Sequence, residues 1–222
     1  MKVLVTGGAG FIGSHVVDRL VQEGHEVVIV DNLSTGKRRS INRAARFCKM
    51  DIQSWRLERV FRNERPNIVM HLAAQMDVRK SVEDPVFDAQ VNVLGMLNVL
   101  QQAVRHGVRK VVFSSSGGAI YGEQESYPAP ESHPTRPLSP YGISKLCGEQ
   151  YLSYYQRVSG LQVVNLRYAN VYGPRQDPDG EAGVVAIFIQ KLLITSRRSF
   201  TGMGGKQETS SISKMSLRPI LR

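Results

Sequence analysis

The chain has 222 residues, a hydrophobic fraction of 41%, a charged fraction of 22% and a formal net charge of +10. That length suits one well-buried domain plus a fragment of a second, and no apolar run approaches the roughly 18 residues a membrane helix needs, so a soluble protein is expected. The basic excess is spread along the chain without a zinc finger or coiled basic region, which sets aside a nucleic-acid partner. Part of it comes from the tail, where Arg197, Arg198, Lys206, Lys214, Arg218 and Arg222 face only Glu208. Met1 to Val5 runs into glycines with no basic n-region or cleavage site, so no signal peptide is expected and the cytoplasm is the expected compartment. Cys48 and Cys147 stand far apart, form no metal-ligand pattern and read as structural thiols.

In chain order, Lys2 to Thr6 is a β-branched apolar run, and after the glycines Phe11, Ile12, Val16, Val17 and Leu20 recur with helical spacing. Gly24 closes that helix and Glu26 to Val30 forms a second apolar strand ending at Asp31, completing a βαβ unit. The alternation continues with strands at Ala45 to Cys48, Ile68 to Leu72, Lys110 to Ser114 and Val163 to Leu166. Helices are expected near Trp55 to Glu64, Pro85 to His106 and Ser144 to Val158. Near-continuous apolar strands between helices imply an α/β fold, a Rossmann-type doubly wound parallel sheet covered on both faces. Arg167 to Gln176 reads as a loop and Asp177 to Gly183 as a flexible link, followed by a helix from Val184 to about Ile194. Thr201 to Arg222 shows no clear period and nothing able to support a core.

Thr6-Gly7-Gly8-Ala9-Gly10-Phe11-Ile12-Gly13 follows a strand and opens a helix, the context that lifts a glycine motif above chance. Gly7 permits the tight turn, Gly10 admits a pyrophosphate close to the backbone, and Gly13 allows close helix packing. Asp31, at the end of the second strand, can accept both ribose hydroxyls of an adenosine and would repel a 2'-phosphate, which favours NAD over NADP. Lys37, Arg38 and Arg39 read as a solvated loop. Asn32, Asp51 and Ile52 suit contacts around the adenosine, and in the segment Leu72, Ala73, Ala74 and Gln75 the small alanines let the backbone run close to the cofactor.

Tyr141 and Lys145 are four apart in a helical pattern and share one face. An ammonium beside a phenol stabilises phenolate and makes tyrosine a proton acceptor near neutrality. Ser114, Ser115 and Ser116 end the fifth strand, where the crevice of a parallel sheet brings hydroxyls toward the same point.

Together these segments resemble the extended short-chain dehydrogenase/reductase family, the NAD-dependent epimerases and dehydratases, and within it the 4-epimerases of UDP-sugars. The resemblance rests on TGGAGFIG from Thr6, DNLSTG from Asp31, HLAAQ from His71, DVRKSVEDP from Asp77, SSSGGAIYG from Ser114, PYGISK from Pro140 and LRYANVYGPRQ from Leu166. It implies Tyr141 as acid/base, Lys145 on the nicotinamide ribose and Ser116 as the catalytic serine, with Ser115 open as the alternative. It also places Asn92 near the cofactor, Ser114 and Tyr168 beside the nicotinamide, and Ser116, Tyr141 and Asn170 on the substrate. Arg175 and Gln176 become candidate diphosphate neighbours. The implied reaction is epimerisation at C4 of UDP-glucose or UDP-galactose through a 4-keto sugar, with NAD regenerated each cycle. The dehydratases of the family carry an acidic pair where this chain has Gly117 and Gly118, which ranks that chemistry lower. UDP-glucuronate decarboxylation and epimerisation of other UDP-sugars stay open.

The resemblance further implies residues 1–176 as the NAD-binding domain, 177–200 as the start of an incomplete substrate-binding domain, and 201–222 as a non-native or disordered tail. Read one nucleotide out of frame, Lys206 to Leu217 permits codons for a string similar to the family's segment at this distance from YGPRQ, so a frameshift near Phe200 is expected. An NAD-binding fragment without catalytic activity is therefore the competing expectation. Family members dimerise through the helices expected here at Pro85 to His106 and Ser144 to Val158, so a homodimer is implied.

Overall fold

The computed structural model describes residues 1–177, 185 and 210–212. Six strands form one all-parallel sheet: β1 (Lys2–Thr6), β2 (Glu26–Asp31), β3 (Arg46–Lys49), β4 (Ile68–His71), β5 (Lys110–Ser116) and β6 (Gln162–Tyr168). Their order is β3-β2-β1-β4-β5-β6, so the chain works outward from β1 in one direction and then crosses to β4 and proceeds in the other. That reversal leaves a crevice beyond the carboxyl ends of β1 and β4, where ligands bind in sheets of this kind.

Successive strand residues face opposite sides of the sheet. Leu4, Val28, Val30, Val69, Val111 and Phe113 form one core with α2 (Leu57–Glu64), α5 (Met96–Arg105) and α7 (Pro140–Ser159), using Leu57, Phe61, Val99, Leu100 and Leu152. Val3, Val5, Val27, Ile29, Ile68 and Met70 form the other with Val16, Val17 and Leu20 of α1 (Phe11–Gln22). Burial on both faces explains why the strands are apolar runs and not alternations.

Several elements depart from the sequence reading. The helix expected from Ser144 begins at Pro140, because the Ser139 hydroxyl accepts from Gly142 N at 3.1 Å and Pro140 supplies a first-turn residue with no N–H to satisfy. The long helix expected from Pro85 is α4 (Pro85–Ala89), a π-helical stretch over Gln90–Gly95 and then α5. Two short helices, α3 (Val78–Glu83) and α6 (Gly117–Ile120), add to the expected set; Asp77 caps the first by accepting from Arg79 N and Lys80 N.

The loop reading of Arg167 to Gln176 is corrected. β6 runs on to Tyr168, paired with Ser116, and Asn170–Tyr172 is a strand, β7. Its partner is β8 (Ser210–Ile212), in parallel register from Asn170 with Ser210 to Tyr172 with Ile212. The expected helix at 184–194 lies outside the described residues apart from Val185, which is helical. Among the described residues no helix is long and apolar enough to cross a membrane.

Candidate active site

The glycine loop turns between β1 and α1 with Gly7 at φ +70°, and Gly10 N donates to Gly7 O at 3.1 Å. A Cβ on Gly7 would lie 2.7 Å from Ala73 N, and one on Gly13 would lie 2.1 Å from Gly7 O. The turn is therefore closed to larger residues on both sides, and the strip after β4 runs directly against it. No side chain caps α1 and no acidic residue occupies its first turn, so its N–H groups and positive dipole end face the crevice.

That strip is fastened from below. Thr6 Oγ1 accepts from Leu72 N and Ala73 N, both at 3.2 Å, and lies 2.7 Å from His71 Nδ1. Burial, aided by the Lys145 charge, pushes His71 down to about 3, so Nδ1 is free to accept the threonine proton. Asn92 does not line the crevice. Its amide instead acts as a substitute strand, accepting from Gln75 N at 2.9 Å and donating to Gln75 O at 2.8 Å.

Asp31 is 8% exposed, and its carboxylate accepts from Ala9 N at 2.9 Å and Leu33 N at 2.8 Å through different oxygens. Each oxygen keeps a lone pair for a further donor. Asn32 donates to Asp51 at 2.8 Å, and buried Ile52 closes the wall beside them. Lys37, expected in a solvated loop, pairs with Asp177 at 2.6 Å. Arg175 pairs with Asp18 at 2.6 Å, and Gln176 donates to Val171 O at 3.4 Å.

On the other side of the crevice, α7 presents Tyr141 and Lys145. Lys145 is 4% exposed; its Nζ donates to Ser114 O at 2.8 Å and stands 4.9 Å from the Phe113 ring centre and 5.7 Å from that of Tyr141. Burial pushes this lysine down to about 8, with the Asp88 carboxylate acting in the opposite direction. The three serines separate by strand alternation. All three line the crevice; Ser115 is buried and donates to Glu149 Oε1 at 2.5 Å, while the Ser116 hydroxyl caps no helix.

Tyr168 also lines the crevice; burial pushes it up to about 12, so it stays a neutral phenol. Asn170 lines the same space at the start of β7. The cleft is about 2610 Å³, larger than the several hundred to about 1,000 Å³ of a pocket for one small molecule. It thus has room for a dinucleotide and a second ligand together.

Two parts of the site escaped the sequence reading. Glu149 lies two helical turns beyond Tyr141, on the face shared with Lys145. It receives Arg167 in a two-pronged pair, Nε to Oε1 at 3.1 Å and a terminal nitrogen to Oε2 at 2.8 Å. Continuing the four-residue spacing from Tyr141 would have found it. Asp88, fully buried beneath Lys145, carried no comparable signal.

The parallel sheet with its reversal at β1 and β4, the glycine turn and the Tyr141/Lys145 helix define a Rossmann-type short-chain dehydrogenase/reductase fold. The chain belongs to the NAD dependent epimerase/dehydratase family, whose model matches residues 3–208. A Methanocaldococcus jannaschii relative is 51% identical over 191 residues, 86% of this chain and 63% of its own length. The UDP-glucose 4-epimerase of Mycolicibacterium smegmatis is 47% identical over 209 residues, 92% of this chain and 67% of that protein. Among solved structures, the Thermotoga maritima UDP-glucose 4-epimerase with UDP-glucose superposes with a TM-score of 0.93 at 49% identity, covering 96% of this chain and 70% of that one. The Thermus thermophilus UDP-glucose 4-epimerase in complex with NAD gives 0.84 at 55% identity, covering 87% and 63%. The chain therefore spans about two thirds of the length of these four relatives.

Proposed function

We propose that this chain carries the NAD site and proton-transfer residues of a UDP-sugar 4-epimerase and interconverts UDP-glucose and UDP-galactose through a 4-keto sugar. The observation that carries the reading is the convergence of Tyr141, Lys145 and Ser116 on the cleft that also holds the glycine loop and Asp31. Support comes from the T. maritima and T. thermophilus relatives, described with UDP-glucose and with NAD respectively.

The residues present fit NAD. The glycine turn excludes side chains where a pyrophosphate would lie, and Asp31 retains acceptor capacity for two ribose hydroxyls while opposing a 2'-phosphate. Asn32, Asp51 and Ile52 would flank the adenosine, the Leu72 to Gln75 strip would run beneath the pyrophosphate, and Ser114, Tyr141, Lys145 and Tyr168 would surround the nicotinamide end. Bound NAD supplies reversible oxidation at the sugar C4. Tyr141 takes the C4 hydroxyl proton as a phenolate and returns it after the sugar has presented its other face. The Lys145 ammonium, held by Ser114 O, stabilises that phenolate. Ser116 donates to the sugar oxygen as charge develops on it, and Asn170 reaches the nucleotide diphosphate.

In this reading residues 1–176 are the NAD-binding domain and 177–200 begin the substrate-binding domain. A homodimer is supported by the apolar residues exposed on the α4 to α5 and α7 helices, among them Val86, Leu94, Ile143, Tyr154 and Val158. Two free cysteines suit a reducing cytoplasm.

The test is to supply the purified chain with UDP-galactose and NAD and follow UDP-glucose by NMR, with NAD affinity measured in parallel. Turnover supports the whole reading. NAD binding without turnover of any UDP-sugar leaves the cofactor half standing and favours a binding fragment. Failure to bind NAD overturns both.

A further inference from the structure

Among the described residues the buried ionisable side chains are Asp31, Glu64, His71, Asp88, His133, Lys145 and Glu149. Glu64 is matched by Lys2 and Arg46, and Glu149 by Arg167. Asp31 accepts two backbone N–H groups at the cleft, His133 is engaged by the Glu125 N–H and the Pro134 carbonyl, and His71 is neutral. This leaves one buried anion, Asp88, and one buried cation, Lys145, neither of which enters any direct ion pair among the described residues. A charge buried without compensation is strongly unfavourable, so each needs the other's field.

The geometry around Asp88 is that of a junction. Its Oδ1 accepts from Asn92 Nδ2 at 2.9 Å and Gln75 Nε2 at 3.1 Å, and its Oδ2 accepts from Ser144 Oγ at 2.6 Å. One carboxylate thereby ties the cleft-lining strip after β4, the π-helical stretch and α7, and on α7 its partner is the residue immediately before Lys145. All three donors are neutral, so none of them brings a counter-charge to the carboxylate. The other ionisable groups set against Lys145 are His71 from β4, which burial and the Lys145 charge keep neutral, and Tyr141, whose ring centre lies 5.7 Å from Nζ; Glu149, one turn further along α7, is taken up by the ion pair with Arg167 from β6.

We propose that Asp88 is the positioning residue of the Tyr141/Lys145 pair: its buried carboxylate is the counter-charge that keeps Lys145 an ammonium and fixes α7 against the cofactor-facing strip. The functional meaning rests on the epimerase reading above, whereas the pairing of the two charges is testable without substrate. The direction is consistent with the opposing action of Asp88 on Lys145 already described.

The experiment is an NMR titration of isotope-labelled lysine and aspartate side chains in the full 222-residue chain, with and without saturating NAD. Lys145→Met assigns the Lys145 signal by its loss. In Asp88→Asn, with folding checked by circular dichroism, the Lys145 midpoint should fall by about one pH unit or more. Ser144→Ala, which removes a donor and no charge, should leave that midpoint in place, so a merely structural role would not mimic the result. Reciprocally, Lys145→Met should raise the Asp88 midpoint, and this arm decides the matter if Asp88→Asn does not fold. An unmoved Lys145 midpoint in folded Asp88→Asn, or an unmoved Asp88 midpoint in Lys145→Met, overturns the proposal. Lost epimerase activity in the unaltered chain would count against the functional reading alone.

Discussion

At the scale of single residues, Tyr141 and His71 carry different consequences. In the proposed reaction Tyr141 exchanges a proton with substrate, so Tyr141→Phe should lower kcat by about 10² to 10⁴, the usual worth of a positioned acid/base. NAD affinity should change little, since the ring and its neighbour Lys145 remain. Retained turnover with unchanged kcat would remove Tyr141 from the mechanism. His71, by contrast, acts through stability. Its folded midpoint, about 3, lies below the ordinary 6.5, so the unfolded chain binds the extra proton between those values. The stabilisation it gives is fully present above about pH 6.5 and is lost as pH falls toward 3, on the order of a few kcal/mol. Urea unfolding across that window should show the decline, and His71→Gln should flatten it; an equally steep decline in the variant would assign it to the carboxylates instead.

At the scale of elements, what could be read from the sequence was what is encoded locally. The Gly7 to Gly13 turn announces itself because the constraint is steric and within seven residues. Gly13→Ala should therefore both destabilise the chain by about 1 to 3 kcal/mol and weaken NAD binding at least tenfold, as calorimetry would show; full affinity would mean the 2.1 Å approach to Gly7 O is relieved at no functional expense. The start of α7 is equally local, set by the Ser139 cap and Pro140, while the apolar pattern begins only downstream of it. Because that cap holds the turn carrying Tyr141, Ser139→Ala should cost about 1 kcal/mol of stability and reduce kcat by more than the population of unfolded chain explains. Other features had no local signal. β7 is a strand only because Ser210–Ile212 lies beside it, and Asp88 acquires meaning only when Gln75, Asn92 and Ser144 are folded around it. The engagement of the Ser115 hydroxyl with Glu149, distant in sequence, likewise had no local signal.

At the scale of the molecule, the helices on the α7 side of the sheet do two things at once. Their inner faces complete the core with Val99, Leu100 and Leu152, while their outer faces leave Leu94 58% exposed and Tyr154 50% exposed. Side chains of that size scattered singly need no explanation, but grouped on adjacent packed helices they form the surface on which the proposed homodimer would rest. A two-fold arrangement would bring the same helices of two chains together and bury both sets. The chain should accordingly sediment at twice its 24.7 kDa mass. The double variant Leu94→Glu, Tyr154→Glu should sediment as a monomer, with little change in its unfolding midpoint because exposed substitutions act weakly on the fold. Since α7 also carries Tyr141 and Lys145, the variant separates two roles for the interface. Unchanged NAD affinity in the monomer would mean that each chain completes its own site, while weakened affinity would mean that dimerisation steadies the helix bearing the catalytic pair. A parent chain that sediments as a monomer at all concentrations would leave this surface to another partner.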